Sequence, residues 1–510
     1  MDEGFNDQIK NMSEEQVRLL TRSKMRRIYD DIEKKAKRLS PEKFIPYVLN
    51  FFYDPSRKIV ISPHTILQAI EANCAYHKSG YDEEVTWGRL ADIVNLIKTV
   101  EDGNDFYLWS IHNQIEIFYQ FIYRTQLEVQ KTGCSKMYLS KYWNLFYDNT
   151  FMSRLHNDFE KKHGLSVEKW FLCSFGLYAM FSKTCVIPKK FKISPNINLN
   201  ESDIQTYLNL SCYSIAEVKR RYFEVRKKDT EEFHFLIRTV FTERPIIELE
   251  NARLVAPIPG LIFRHMGHEL ENLFECVDSN GYHIAKSFEE YTKKVLSCLG
   301  SSTRLYSNNE LEKLSDGKKS CDFLLVTPSE NILIECKAVN FKVRTLTENA
   351  LLKSNAFEKI KDGICQIDNT LGNIKTGKLC LPDVDINKPF LKIVVTFGEI
   401  IGFNSNWLLN KMCPSINDID EKIGKPTILS IDGLEKLVLY IENSKESFIS
   451  IYRSKQEKGY FMTGDWDAYL DNKIFDVKPI KKNRFFIDGV NKMYAKFGID
   501  LERATKRDYY

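Results

Sequence analysis

Two short apolar runs with a turn between them stand out in the second half of the chain. Residues 323–327 and 332–339 are rich in β-branched and other apolar residues, and the segment 328–331 consists of residue types that favour turns. This pattern predicts an antiparallel β-hairpin. Because side chains alternate along a strand, Glu335 and Lys337 should share one face of the second strand.

The position of Asp322 depends on the length of the hairpin loop. A two-residue loop at Pro328 and Ser329 places Asp322 directly opposite Glu335, and a four-residue loop places it opposite Lys337. Both pairings put Asp322 on the face of the other two, with opposed Cβ atoms about 5 Å apart. A three-residue loop or a bulge would turn Asp322 to the other face.

The segments around the hairpin have the spacing of helices and of a further strand. Apolar residues at every third or fourth position predict an amphipathic helix at about 348–374, with Gln366 at the border of its apolar stripe. Upstream, residues 285–298 predict a helix with Glu289 beside its apolar stripe. A strand is predicted at 391–396. The hairpin therefore lies between two helices in the sequence.

The charges on the hairpin indicate a metal site. Ionisable side chains are costly in an apolar strand unless they pair or hold a cation. The carboxylates of Asp322 and Glu335 would repel each other at this separation unless a positive charge lay between them. Oxygen ligands suit a hard cation such as Mg²⁺ or Mn²⁺. Lys337, on the same face, could then orient a metal-bound water or stabilise charge on a phosphate.

A plainer interpretation is an edge strand that carries a surface ion pair. Glu-x-Lys is a common tripeptide, and three further copies occur in this chain. Those copies lie in charged, helix-like segments and are typical of solvated helix faces. They are Glu33/Lys35, Glu160/Lys162 and Glu217/Lys219.

The order of these residues and elements resembles the PD-(D/E)xK nuclease superfamily, and it is most similar to the Mrr-like and related bacterial branches. The resemblance covers about residues 255–400. It implies that Asp322 and Glu335 bind Mg²⁺, with the backbone carbonyl of Cys336 as a further ligand, and that Glu289 supports the metal site. The proline of the motif is absent.

The same resemblance assigns roles to two further side chains. Lys337 would activate the attacking water, and Gln366 would contact phosphate or the active centre. Cys321 stands where the superfamily has its proline. The residues that the resemblance places in the active site are Glu289, Asp322, Glu335, Lys337 and Gln366.

The length of 510 residues is enough for several domains. We expect a multidomain protein with a large, mostly α-helical N-terminal domain and an α/β restriction-endonuclease-like core with a mixed sheet. The expected boundaries are 1–200 for a helical recognition or regulatory domain, 201–250 for a helical connector and 251–405 for the core. Residues 406–510 would form an α+β extension of the core or a small appendage.

Net charge, cysteine content and the longest uncharged run near the middle of the chain bear on the partners and the location of the protein. A formal net charge of +4 means that any contact with nucleic acid must be local. The 12 cysteines include no Cys-x-x-Cys pair, which indicates free thiols in a reducing cytoplasm. The uncharged run 170–181 is too short to span a bilayer. We therefore expect a cytoplasmic protein without a membrane segment.

One basic segment interleaves cations with aromatic residues, as contacts with a nucleic-acid backbone and its bases would require. A solvated helix face is an equally good interpretation. The cations of this segment are Lys219, Arg220, Arg221, Arg226, Lys227 and Lys228.

The sequence predicts a Mg²⁺- or Mn²⁺-dependent endonuclease that acts on nucleic acid, with DNA favoured over RNA. A helical domain joined to such a core is reminiscent of bacterial anti-phage, abortive-infection effectors, in which the second domain binds a trigger such as a phage protein. Two alternatives stay open. One is an RNase or tRNase on the same fold, and the other is a non-catalytic nucleic-acid-binding scaffold.

Overall fold

The described residues form mainly α-helices, together with two mixed β-sheets. The structure is a computed structural model. It describes residues 12–54, 56, 61–110, 136–192, 197–228, 239–315, 317, 319–340, 352–400, 402–413, 424–457, 466–477 and 484–498.

The helices and strands follow one another along the whole described chain. The α-helices are α1 (Glu14–Ala36), α2 (Pro41–Phe52), α3 (Pro63–Tyr76), α4 (Trp87–Ser110), α5 (Lys136–Tyr142), α6 (His156–His163), α7 (Val167–Phe181), α8 (Glu201–Ser211), α9 (Ile215–Lys228), α10 (Gly260–Glu275), α11 (Tyr282–Ser297), α12 (Asn308–Leu314), α13 (Asn355–Lys375), α14 (Asn406–Met412), α15 (Ile431–Ser444), α16 (Phe448–Glu457), α17 (Trp466–Asp476) and α18 (Phe485–Lys496). The strands are β1 (Val186–Pro188), β2 (Cys212–Ser214), β3 (Ile246–Glu248), β4 (Arg253–Val255), β5 (Arg304–Ser307), β6 (Phe323–Val326), β7 (Asn331–Lys337), β8 (Phe390–Thr396) and β9 (Thr427–Ser430). A π-helical turn lies at Trp143–Tyr147, and 3₁₀ turns lie at Met152–Leu155 and Val240–Thr242.

The chain divides into two compact units whose limits differ from the expected domain boundaries. Residues 201–250, expected as a connector, belong to unit 1, because β2 and β3 pair inside its sheet. Helix α5 belongs to unit 2, although it lies within the expected N-terminal domain. Unit 1 comprises the described parts of Met1–Cys134 and His156–Leu273; unit 2 comprises those of Ser135–Leu155, Phe274–Val343 and Glu348–Tyr510.

Unit 1 is mostly helical and contains the smaller sheet. Its strand order is β1-β4-β3-β2, with β2 and β3 parallel and the other pairs antiparallel. Its core is a cluster of buried apolar side chains from α1 to α4, from the sheet and from the adjoining turns, such as Phe44, Ile70, Ile93 and Ile247. The expected helical character of the N-terminal part is confirmed, and the sheet within unit 1 was not predicted.

Unit 2 is built on a five-stranded sheet with the order β5-β6-β7-β8-β9. The first three strands form an antiparallel meander, and β8 and β9 then join in parallel. A parallel connection needs a crossover, and α13 supplies the one between β7 and β8. Because β9 pairs with β8, residues beyond 405 extend this sheet instead of forming a separate appendage.

The predicted hairpin is confirmed, with the register of the two-residue loop. Phe323 lies opposite Ile334, and Val326 lies opposite Asn331. Thr327 N donates to Glu330 O at 2.9 Å, which closes the turn around two residues. The next pair in this register is Asp322 with Glu335, at the end of the hairpin far from the loop.

Helices cover both faces of the five-stranded sheet. Helix α13 packs on β7 and β8, and helices α11 and α15 pack on β7, β8 and β9. Of the predicted helix at 348–374, residues 348–351 lie outside the described residues. Helix α13 begins at Asn355, where the Ser354 side chain caps it by accepting a hydrogen bond from Phe357 N at 3.1 Å. In the part of the chain that the structure describes, no helix has both the length and the apolar character needed to cross a bilayer.

Candidate active site

The carboxylates of Asp322 and Glu335 meet at the open end of the β6–β7 hairpin. Asp322 N donates to Glu335 Oε2 at 3.2 Å, and Asp322 Oδ2 accepts from Cys336 N at 2.7 Å. Asp322 precedes the first residue of β6, Phe323, so the backbone N–H of Cys336 is bonded by the Asp322 side chain and not by a main-chain carbonyl of β6. The hairpin itself therefore fixes both carboxylates.

Glu335, Lys337 and Gln366 form one hydrogen-bonded group beside them. Lys337 Nζ donates to Glu335 Oε1 at 2.7 Å, and the Glu335 side chain is only 4% exposed. In the orientation of the Gln366 amide that satisfies both neighbours, its nitrogen donates to Glu335 Oε1 at 2.8 Å and its oxygen accepts from Lys337 Nζ at 2.9 Å. Helix α13 thus holds the glutamate and the lysine of β7 in one geometry.

Burial makes the negative charge on these carboxylates costly. Burial, together with the nearby charges of Glu335 and Glu289, raises the pKa of Asp322 to about 7 despite the opposing effects of the Cys336 N–H and Lys337. Burial also raises the pKa of Glu335, although Lys337 counteracts this effect. A pair of this kind becomes fully ionised only when further positive charge reaches it.

Glu289 lies on α11, close enough to Asp322 for its charge to raise the pKa of that carboxyl. Its Oε2 atom pairs with Lys286 Nζ at 2.6 Å on the same helix. Burial lowers the pKa of Lys286, but the hydrogen bond and the charges of Glu289 and Asp322 outweigh this effect and leave it raised. Sequence reasoning did not single out Lys286, whose position one helical turn before Glu289 was the available signal.

The carboxylate oxygens of Asp322 and Glu335 suit a hard cation, but they do not complete its coordination shell by themselves. Within the described residues, no group of three or more His, Cys, Asp or Glu side chains is arranged to hold a metal ion. Asp322 Oδ1, in contrast, accepts no hydrogen bond from the described residues, and Asp322 and Glu335 are all-oxygen ligands side by side. Two carboxylates plus water are a usual environment for Mg²⁺.

Gly363 was missed in the sequence, although a glycine inside a helical pattern indicates close packing. A Cβ atom at this position would lie 3.1 Å from Lys337 Cε and 3.4 Å from Glu335 Cγ. Any larger residue would therefore push against the lysine of the site. Glycine allows α13 to approach β7 closely enough for Gln366 to bridge the Glu335–Lys337 pair.

Thr370 connects the same helix to the start of β6 and was also missed. Its Oγ1 atom accepts from Cys321 N at 2.8 Å and donates to the carbonyl of Gln366 at 2.9 Å. The side chain is fully buried. Thr370 thus joins the residue before Asp322 to the helical turn that carries Gln366.

The basic segment of α9 belongs to unit 1, whereas this cluster belongs to unit 2. Arg221 forms a bidentate salt bridge with Glu243 at 2.7 and 2.8 Å, and Arg220 forms a salt bridge with Glu224. Lys219 is exposed. The side chains of the other predicted contacts lie outside the described residues; they are Arg226, Lys227 and Lys228.

Comparisons of this chain with protein-family models, with curated proteins and with solved structures find no match. No relative therefore supplies a function or a set of site residues. Function has to be inferred from the geometry of unit 2, where the sequence-predicted residues Asp322, Glu335, Lys337 and Gln366 converge.

Proposed function

We propose that unit 2 is a metal-dependent nuclease with a restriction-endonuclease-like core, which hydrolyses phosphodiester bonds in DNA. One observation carries the proposal. The half-buried carboxylate of Asp322, directly before β6, and the buried carboxylate of Glu335 on β7 lie next to each other. Lys337 pairs with Glu335, and Gln366 bridges this pair. Carboxylates and a lysine in this arrangement suit the binding of a hard cation and the stabilisation of charge on phosphate.

The order of elements supports the same proposal. Along the chain, α11 with Glu289 precedes the meander, β6 and β7 bring Asp322 and Glu335 together, and α13 with Gln366 leads to the parallel strand β8. The same order of elements underlies the resemblance of the sequence to the PD-(D/E)xK superfamily. The antiparallel meander and the parallel crossover add the topology that the sequence left open.

In this mechanism Asp322 and Glu335, with the Cys336 carbonyl and the support of Glu289, would hold Mg²⁺ or Mn²⁺. Such an ion, when bound, lowers the pKa of water and neutralises charge on phosphate. The Lys337 ammonium orients the attacking water and stabilises the negative charge that develops on the phosphate oxygens. Gln366 keeps the lysine in place and offers its amide to the phosphate.

The decisive experiment compares Lys337→Met with a lysine variant that shares its surroundings. Lys392 lies on the neighbouring strand β8, is 5% exposed, and pairs with Asp368 of α13 at 3.0 Å. Purified parent, Lys337→Met and Lys392→Met are incubated with labelled duplex DNA, single-stranded DNA and total RNA in Mg²⁺ or Mn²⁺. We expect cleavage of DNA that is lost in Lys337→Met and kept in folded Lys392→Met.

Other results of this experiment would change the proposal. Cleavage of RNA alone would assign the alternative, an RNase on the same fold. Equal cleavage by the parent and Lys337→Met would overturn the assignment of the site.

A non-catalytic, nucleic-acid-binding scaffold is the second candidate, and one observation favours it. The described residues contain no group of three acidic, histidine or cysteine ligands, so the site does not resemble a complete metal cage. Mg²⁺ binding separates the candidates. A scaffold would bind DNA without any Mg²⁺ affinity at Asp322, whereas the nuclease would lose Mg²⁺ affinity in Asp322→Asn.

We also propose that unit 1 controls the nuclease in an anti-phage response. Its helical character and the separate compact unit are what the analogy with abortive-infection effectors requires. The purified protein would then cleave DNA only slowly alone, and extract from phage-infected cells would increase the rate strongly. Strong cleavage without any trigger would contradict this role and leave the nuclease proposal intact.

A further inference from the structure

Unit 2 contains a cavity of about 750 Å³ on the face of the sheet opposite to Glu335 and Lys337. Ile332 and Ile334 line it, and they alternate with Glu335 along β7, so they point to the other side of the sheet. Leu434 and Leu437 of α15 form the facing wall. A volume of this size is typical of sites for small organic molecules.

Glu330 is the buried charged residue of this cavity. It closes the hairpin turn, lines the cavity and is only 2% exposed. Its Oε1 atom accepts a hydrogen bond from Phe448 N at 3.1 Å, whereas its buried Oε2 atom has no hydrogen-bond partner among the described residues. A buried acceptor without a donor is costly, and the cost is larger for a carboxylate. A donor supplied by a bound molecule would remove this cost.

The other charged residues that line the cavity indicate which charge the donor group of a bound molecule should carry. Glu442 and Glu446 are also acidic, and the two cations of the wall, Lys445 and Arg484, are both exposed to solvent. The buried charged side chain of the lining is therefore the acidic Glu330, and the rest of the lining combines aliphatic side chains with neutral polar ones such as Thr303 and Ser447.

We propose that this cavity is a binding site for a small organic cation with an apolar body. The apolar part would contact Ile332, Leu437 and the other aliphatic side chains, and an ammonium or amidinium group would donate to Glu330. The site uses no residue of the Asp322–Glu335 cluster. Its existence therefore does not depend on the proposed nuclease function.

The test uses three probes with one shape and different charges: 4-phenylbenzylamine, 4-phenylbenzyl alcohol and 4-phenylbenzoate. Binding of each to the full chain is measured by titration calorimetry. We expect the amine to bind at least about tenfold more tightly than the alcohol, because the positive charge of the ammonium group is attracted to a carboxylate in addition to the hydrogen bond, whereas the hydroxyl group is neutral. The carboxylate should bind most weakly.

Two variants locate the bound amine. Glu330→Gln keeps an acceptor for Phe448 N but removes the charge, so the preference for the amine over the alcohol should disappear. Glu312→Gln, in α12 and outside the cavity, is the matched control and should keep the preference. Val438→Trp fills the cavity and should abolish binding of all three probes, with folding checked by circular dichroism.

Several outcomes would overturn the proposal. If the amine and the alcohol bound to the parent with equal affinity, the ammonium group would not contact a carboxylate. A preference for the amine that persists in Glu330→Gln would place the cation elsewhere, and unchanged binding in folded Val438→Trp would place the whole molecule elsewhere. Absence of binding by all three probes would mean that the cavity is not a site for this class of ligand.

Discussion

Two clusters of acidic side chains with a lysine, both in the described part of unit 2, differ in how far solvent reaches the lysine. The hairpin cluster consists of Asp322, Glu335, Lys337 and Gln366. The helix cluster joins α5, α11 and α15, and its members are Lys141, Tyr291, Asp432 and Glu435. In the helix cluster, Lys141 pairs with Asp432, and the Tyr291 hydroxyl donates to Glu435.

Accessibility separates the two clusters more clearly than the pKa does. Burial raises the pKa of Asp322 to about 7 and that of Glu435 to about 8. The Lys141 side chain, however, is 1% exposed, while that of Lys337 is 17% exposed. Perturbed pKa values also occur in structural ion-pair networks. A candidate site for phosphate chemistry therefore needs a reachable lysine, and the hairpin cluster has one in Lys337. The reachable group of the helix cluster is instead the carboxylate of Asp432, which is 26% exposed.

The largest expected difference between the clusters is the effect of Asp322→Asn on cleavage. The amide keeps an acceptor for Cys336 N but removes the charge that would bind Mg²⁺. We expect cleavage to fall at least about a thousandfold, or about 4 kcal/mol of transition-state stabilisation. Thermal unfolding in EDTA should show an unchanged or higher midpoint, because a costly buried charge has been removed. Parental cleavage by Asp322→Asn would remove the distinction between the clusters.

The matched change in the helix cluster, Asp432→Asn, should act on stability alone. It leaves the buried Lys141 ammonium without its closest counter-ion, and removal of one partner of a buried pair costs about 3–5 kcal/mol. The lower end applies, because Asp432 is 26% exposed and solvent partly screens its charge. Denaturant unfolding measures this loss. Cleavage per folded molecule should stay at the parental level, and a selective loss of cleavage would make this cluster part of the active site.

A third expected effect is a pH dependence of stability from Glu435. Burial, together with the charge of Asp432, raises its pKa from 4.5 to about 8 despite the opposing effects of Lys141 and Tyr291. The folded state therefore binds this proton more tightly than the unfolded state, and its contribution to stability falls as pH rises from about 4.5 to 8. The slope is at most about 1.4 kcal/mol per pH unit.

Denaturant unfolding at several pH values measures this slope, and Glu435→Gln should reduce it. Lys141, Asp432 and Lys436 carry charge near this carboxyl, so the comparison with the parent is made at constant ionic strength. An unchanged slope in Glu435→Gln would mean that this carboxyl is already ionised in the folded protein at low pH.

The hairpin cluster was largely predictable from the sequence, because its main determinants are local. Side chains alternate along a strand, so the pattern of residues 332–339 predicted that Glu335 and Lys337 share one face. The short turn limited the possible pairing registers, and the structure has one of them. The two-residue and four-residue loops could not be separated in advance. The hydrogen bond from Thr327 N to Glu330 O, which closes the shorter loop, depends on the folded turn.

The helix cluster was not predictable, because its members come from distant segments. Lys141 and Asp432 are 291 positions apart, and neither segment has a pattern that refers to the other. The same reason explains why residues 135–155 were expected in the N-terminal domain, whereas they belong to unit 2. Tertiary packing decides such contacts, and one sequence carries no direct signal for them.

Gly363 allows the smallest and most specific test of the difference between the clusters. Gly363→Ala would place a Cβ atom 3.1 Å from Lys337 Cε, so the flexible lysine would have to shift by a few tenths of an ångström. Gly372 lies on the same helix with no atom within 4 Å of an added Cβ, and Gly372→Ala is the control. The control should raise the free energy of unfolding by about 0.5–1 kcal/mol and leave cleavage unchanged.

Gly363→Ala should instead lower kcat by about tenfold without a matching change in KM, because misplacement of a positioned group affects the transition state more than binding. Its stability should change by less than about 1 kcal/mol, since the gain in helix propensity offsets the crowding. Steady-state kinetics and denaturant unfolding on the same preparations measure both quantities. If Gly363→Ala behaved like Gly372→Ala, the geometry of Lys337 would not limit the reaction, and accessibility alone would distinguish the hairpin cluster from the helix cluster.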